Sequence, residues 1–75
     1  MPRKKRIAVT IKDSIGDTEK SIILKEGSTV EDTLEVGGNT LKDGSEVRLN
    51  GEATSMSKEV VDGDVITIFS KISGA

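Results

Sequence analysis

A chain of 75 residues, 33% hydrophobic and 32% charged, carries one aromatic side chain, no cysteine and no histidine. That length supports one domain with a small core, and the missing residue types exclude disulfide staples, thiolate or imidazole metal sites and histidine acid–base catalysis. No apolar run approaches the roughly 18 residues of a membrane span and no apolar signal segment is visible, so the expectation is a cytoplasmic protein that is not an enzyme and holds no metal and no cofactor.

The formal net charge of −2 hides an asymmetry: Arg3, Lys4, Lys5 and Arg6 take four of the eleven basic residues, leaving seven against thirteen acidic ones, a net of −6. Residues 1–6 read as a basic arm ahead of an acidic body. Clustered cations attract an anionic partner, but four charges with no aromatic beside them grip bases weakly. The plainer reading of Arg3, Lys4, Lys5 and Arg6 is a solubilising segment, and nucleic acid is disfavoured as a partner.

In chain order, Ile7, Val9 and Ile11 alternate with Ala8, Thr10 and Lys12, the period of a strand with one buried face. Asp13 to Thr18 has turn chemistry, and Ser21 to Lys25 reads as the return strand of a hairpin. Ser28 and Glu31 stand at capping-box spacing, with Glu31, Asp32 and Glu35 in the opening turns of a helix that Gly37 and Gly38 end. Val30 and Leu34 face the sheet in this reading, and two turns are too few to persist without that packing. The acidic side chains then form a solvated face.

Val47 and Leu49 mark a third strand near an exposed edge, and Asn50-Gly51 predicts a type I′ hairpin returning through Glu52 to Thr54. Asp62-Gly63-Asp64 is expected as a solvated tight turn. Val65 to Phe69 is the most β-prone segment, predicted as a central strand buried on both faces. Hairpin, helix, strand, short return and final strand make an α+β layout. The compact solution is a β-grasp: a mixed four- to five-stranded sheet with one short helix, its first and last strands parallel at the centre. Residues 1–75 form a single domain in this reading, with 1–6 as the arm and 70–75 as a flexible tail.

The stretch from Val60 to Ala75, with its Asp62-Gly63-Asp64 turn, apolar strand and glycine-bearing tail, resembles the C-terminal third of the ubiquitin-like sulfur carriers of thiamine and molybdopterin synthesis. Gly27 to Val30 and Val47 to Glu52 extend the resemblance upstream in weaker form. It implies a carrier or modifier whose terminal carboxylate is adenylated by an activating enzyme and converted to a thiocarboxylate or an amide, with an adenylating or sulfur-transfer protein as partner. Ser73, Gly74 and Ala75 would be the activated tail, with Ala75 standing where the family has a second glycine. Phe69 reads as core; turned outward, it would join Lys71 and Ile72 as a partner-binding segment. The alternatives are a non-conjugating β-grasp interaction module, of phage or mobile-element type, and a weak nucleic-acid-associated protein acting through Arg3 to Arg6.

Overall fold

The computed structural model describes residues 5–39, 41 and 44–70. Its elements are β1 (Arg6–Asp13), β2 (Thr18–Lys25), α1 (Val30–Val36), β3 (Ser45–Leu49), β4 (Glu52–Ala53) and β5 (Val65–Ser70). The five strands lie in the order β2-β1-β5-β3-β4. β1 and β5 run parallel, with Thr10 opposite Val65 and Asp13 opposite Ile68, while β1–β2, β3–β5 and β3–β4 are antiparallel. This is the expected β-grasp, with the last strand at its centre.

Strand alternation builds the core. Ile7, Val9 and Ile11 point to one face, and register brings Leu24, Ile66, Ile68 and Leu49 to the same face. There they meet Val30 and Leu34 of α1 and Val60 of the segment before β5. Full burial of each such side chain contributes about 1.5–3 kcal/mol. Gly37, the C-cap of α1, lies close against the sheet: a Cβ there would stand 2.8 Å from Ile11 Cδ1.

α1 begins one residue later than its capping signal suggests. Ser28 closes the preceding turn instead, its N–H and Oγ both donating to the Lys25 carbonyl. Thr29 is the N-cap: its Oγ1 accepts from Asp32 N–H at 3.2 Å and its N–H donates to Asp32 Oδ2 at 3.1 Å. The remaining early amides are taken by the chain beside them, Val30 N–H by Lys58 carbonyl and Glu31 N–H by Met56 carbonyl. Every first-turn donor is thereby satisfied, which holds a seven-residue helix in place.

Other expectations shift too. β2 starts at Thr18 rather than Ser21, because the 14–17 turn is tighter than its composition suggests: Asp13 Oδ1 caps it by accepting from Ile15 and Gly16 N–H. Arg6 belongs to β1 and Ser70 to β5, so neither falls in an arm or a tail. β5 is central but buried on one face only. Ile66 and Ile68 are enclosed, whereas Val65, Thr67 and Phe69 are half-buried because the single helix covers one side of the sheet. Nor is the expected β3 edge wholly open, since β4 pairs with Arg48 and Leu49.

The Asp62-Gly63-Asp64 turn is not simply solvated. Asp64 is only 8% exposed; its Oδ2 accepts from Val61 N–H at 2.8 Å and its Oδ1 from Asn50 Nδ2 at 3.0 Å. Asn50 Oδ1 accepts from Val65 N–H at 2.9 Å, and Asp62 Oδ1 accepts from Ala8 N–H at 2.8 Å. The φ values of Asn50 (52°) and Gly51 (83°) are those of the type I′ turn. That turn aims the Asn50 amide into the network. Asp64→Ala is expected to lower unfolding free energy by about 2 kcal/mol, because it strands Val61 N–H and the Asn50 amide. Asn50→Ala should cost a similar amount, and urea titration of the double variant should show a loss smaller than the sum of the two.

Candidate functional site

Parallel pairing fixes where the ends of the described chain lie. β1 and β5 run in the same direction, with β5 beginning opposite Thr10, so Lys5 and Arg6 sit at one pole and β5 ends at Ser70 towards the other. β1 alone, Arg6 to Asp13, spans about 23 Å at roughly 3.3 Å per residue. Lys5 and Arg6 are exposed, and Arg6 lies opposite Lys25. Together they make a small basic pole well removed from the end of β5. Arg3 and Lys4 lie outside the described residues, as do Lys71, Ile72, Ser73, Gly74 and Ala75.

β5 is held firmly up to its last residues. Ser14 N–H donates to Ile68 carbonyl at 2.8 Å, and Ser70 is still in register opposite Ser45. β5 therefore ends at Ser70 in the middle of the sheet rather than at an edge.

Phe69 is not core. Ile66 and Ile68 occupy the helix-facing side, so Phe69 falls on the open face, opposite Glu46 of β3. There the Arg48 guanidinium stands 5.2 Å from the ring centroid, and Arg48 Nε donates to Glu46 Oε2 at 2.7 Å. A cation over an aromatic ring is attracted by the ring quadrupole, and the carboxylate fixes the guanidinium from the side. Lys12 and Thr67 lie opposite each other on the same face. Sequence reasoning did not connect Arg48 with Phe69. Only the β3–β5 register brings it to Phe69, and no local pattern encodes that register.

The two aspartates flanking Gly63 are occupied with backbone and amide donors, as described above. Among the described residues no group of three or more His, Cys, Asp or Glu side chains is arranged to hold a metal ion, and no helix is long and apolar enough to cross a membrane. What the arrangement offers is a rigid central strand, a half-exposed aromatic with a paired arginine, and a chain continuing past them.

Comparison with solved structures fits this geometry. A crystal structure of small archaeal modifier protein 1 from Haloferax volcanii superposes with a TM-score of 0.72 at 19% identity, covering 88% of this chain and 99% of that one. A second crystal structure of the Haloferax volcanii protein gives 0.71 at 19% identity, over 95% and 100% of the two chains. The chain shares their ubiquitin-like β-grasp fold. The solution structure of the Haloferax volcanii HVO 2177 protein gives 0.70 at 17% identity, covering 100% of this chain and 92% of that one. No protein-family model matches the sequence, and no curated protein matches it.

The two sides of β5 should separate in a stability experiment. Ile68→Ala is expected to cost about 2–5 kcal/mol as a core truncation. Phe69→Ala should cost about 1 kcal/mol, the value of a half-exposed ring and its cation contact. Denaturant midpoints that rank the two in the opposite order would place Phe69 in the core.

Proposed function

We propose that the chain is a ubiquitin-like sulfur carrier or modifier whose tail, Ser73-Gly74-Ala75, is presented to an adenylating or sulfur-transfer enzyme. The observation that carries this reading is the superposition on small archaeal modifier protein 1, over 88% and 95% of this chain in its two crystal structures, together with a last strand that ends in the middle of the sheet. The tail's resemblance to the sulfur carriers supports it independently.

The chemistry asks little of the carrier's side chains. The tail carboxylate attacks the α-phosphorus of ATP, forming an acyl adenylate and releasing pyrophosphate. Hydrosulfide then adds to the acyl carbon and AMP leaves, giving a thiocarboxylate; an amine in the same step gives an amide. On the carrier, every bond made or broken is at the terminal carboxyl group, in keeping with a chain that has no cysteine or histidine.

In this reading each part has a task. β5 fixes the direction of the tail, and Phe69 with Arg48 gives the activating partner an anchor beside the exit point. Gly74 lets the backbone enter a narrow channel, while the Ala75 methyl group sits where the sulfur carriers have a second glycine and slows entry. Residues 1–4 take no part, since β1 begins at the opposite pole.

The direct test is incubation with an adenylating enzyme, ATP and a sulfur donor, read by intact mass. The expected result is replacement of one terminal oxygen by sulfur, with about tenfold faster conversion for Ala75→Gly, the equivalent of about 1.4 kcal/mol. Arg48→Ala should raise the KM for the carrier with little effect on turnover. If neither the natural chain nor Ala75→Gly is modified under conditions that modify small archaeal modifier protein 1, the chain is an interaction module instead.

A further inference from the structure

β2 stands at the end of the sheet, and its outer edge has no partner strand among the described residues. Hydrogen-bond parity decides which groups face outward. Glu26 N–H donates to Lys5 carbonyl and Thr10 N–H donates to Asp64 carbonyl. The even-numbered residues of β2 therefore bond to β1, while the backbone groups of Glu19, Ser21 and Ile23 and the Lys25 N–H turn away from it to the open edge; the Lys25 carbonyl, also turned away, is taken by Ser28.

Natural edge strands usually carry a device against pairing, such as a proline, a bulge or an inward charge. β2 pairs with β1 through eight consecutive positions without a bulge and contains no proline. Its one charge on the helix side, Lys20, is tied back, with Nζ donating to Gly37 carbonyl at 2.8 Å. Ile23 is 58% exposed, and Val36 of α1, lining the same groove as Leu24, is 61% exposed.

We propose that this edge forms a two-fold symmetric dimer in which β2 pairs antiparallel with β2 of a second copy, centred on Ile22. Outward backbone groups can meet only outward groups, so the allowed registers differ by two residues. Centring on Ile22 places Ser21 opposite Ile23 and Glu19 opposite Lys25 of the second copy, and symmetry repeats both pairs. One step towards the hairpin turn sets Glu19 against Ile23 and carries Lys25 past the end of the strand. One step the other way sets Lys25 against Ser21 and shortens the ladder.

The charges select the Ile22 register. Within one chain Lys25 is opposite Arg6, a like-charged neighbour, and among the described residues neither Glu19 nor Lys25 forms an ion pair. Pairing brings a carboxylate to each Lys25, on the same face as the Arg6 it crowds. The Ile22 side chains meet across the axis on the helix side. The product is one continuous ten-stranded sheet, five strands from each copy, with both helices on one face. β5 lies two strands in from the joined edge, so its exit stays open.

Sedimentation of the full chain over a concentration series tests the register by charge reversal. The natural chain should self-associate to a dimer. Lys25→Glu relieves the crowding at Arg6 within the monomer, so it should fold at least as well by thermal melting, yet weaken dimerisation by about tenfold or more by setting like charges against each other at both ends. Glu19→Lys should weaken it similarly, and the double variant E19K/K25E should return to within about threefold of the natural chain. Amide exchange at Ser21 and Ile23 should slow as concentration rises. A chain that stays monomeric to millimolar concentration overturns the proposal and leaves the edge to an extended peptide of another protein. A dimer indifferent to the single reversals overturns it equally.

Discussion

The parallel contact between β1 and β5 joins residues more than fifty positions apart, and the rest of the sheet is arranged around it. β1 brings its hairpin partner to one side and β5 brings β3 and β4 to the other. Parallel pairing alone is slightly weaker per residue than antiparallel pairing. Here it is reinforced at its start, where Asp62 accepts from Ala8 N–H, Gly63 N–H donates to Ala8 carbonyl and Asp64 carbonyl accepts from Thr10 N–H. A three-residue turn thus acts as the clasp of the central pair, and Asn50 ties the β3–β4 turn to it through Asp64 and Val65.

The helix depends on the same clasp at one remove. Its seven residues cannot sustain themselves. They are held by Val30, Thr33 and Leu34, which are buried against the sheet, and by the segment from Met56 to Val60, which receives two first-turn amides. That segment runs directly into the clasp, so the position of α1 over Ile11 is set by residues lying between β4 and β5. The small core, ten buried apolar side chains among the described residues, suffices because loops and turns take up so many of the backbone groups beside it.

Period-two alternation in β1, the Asn50-Gly51 pair and the β-prone run from Val65 were legible because each is a local signal with a local cause. The sheet order was legible because few connections of these lengths close a compact sheet. What sequence reasoning misplaced depended on competition or on register. Ser28 and Thr29 both offer a hydroxyl at the helix start, and only the end of β2 decides that Ser28 is taken by Lys25 carbonyl. Phe69 reads as core in an apolar run, but with one helix the sheet has one covered face, and strict alternation from Ile66 and Ile68 puts the ring on the other. Asp64 looks like a solvated turn residue until the Asn50 side chain is brought to it by a different hairpin. The tail was read from its resemblance to the sulfur carriers, and it lies beyond Ser70, outside the described residues.

The placement of β5 also governs the order in which the molecule can be built. The last strand in sequence is the middle strand in space, bonded to β1 on one side and β3 on the other. Until it arrives, β1–β2 and β3–β4 are two hairpin fragments with no strand between them and no shared core. Synthesis from the N-terminus therefore yields no stable partial sheet. The chain must wait for its final third and then close the longest loop in a single cooperative step. Segments such as Ser21 to Lys25 remain open to water during that wait, so the edge left unpaired in the folded chain is also exposed to association before β5 arrives.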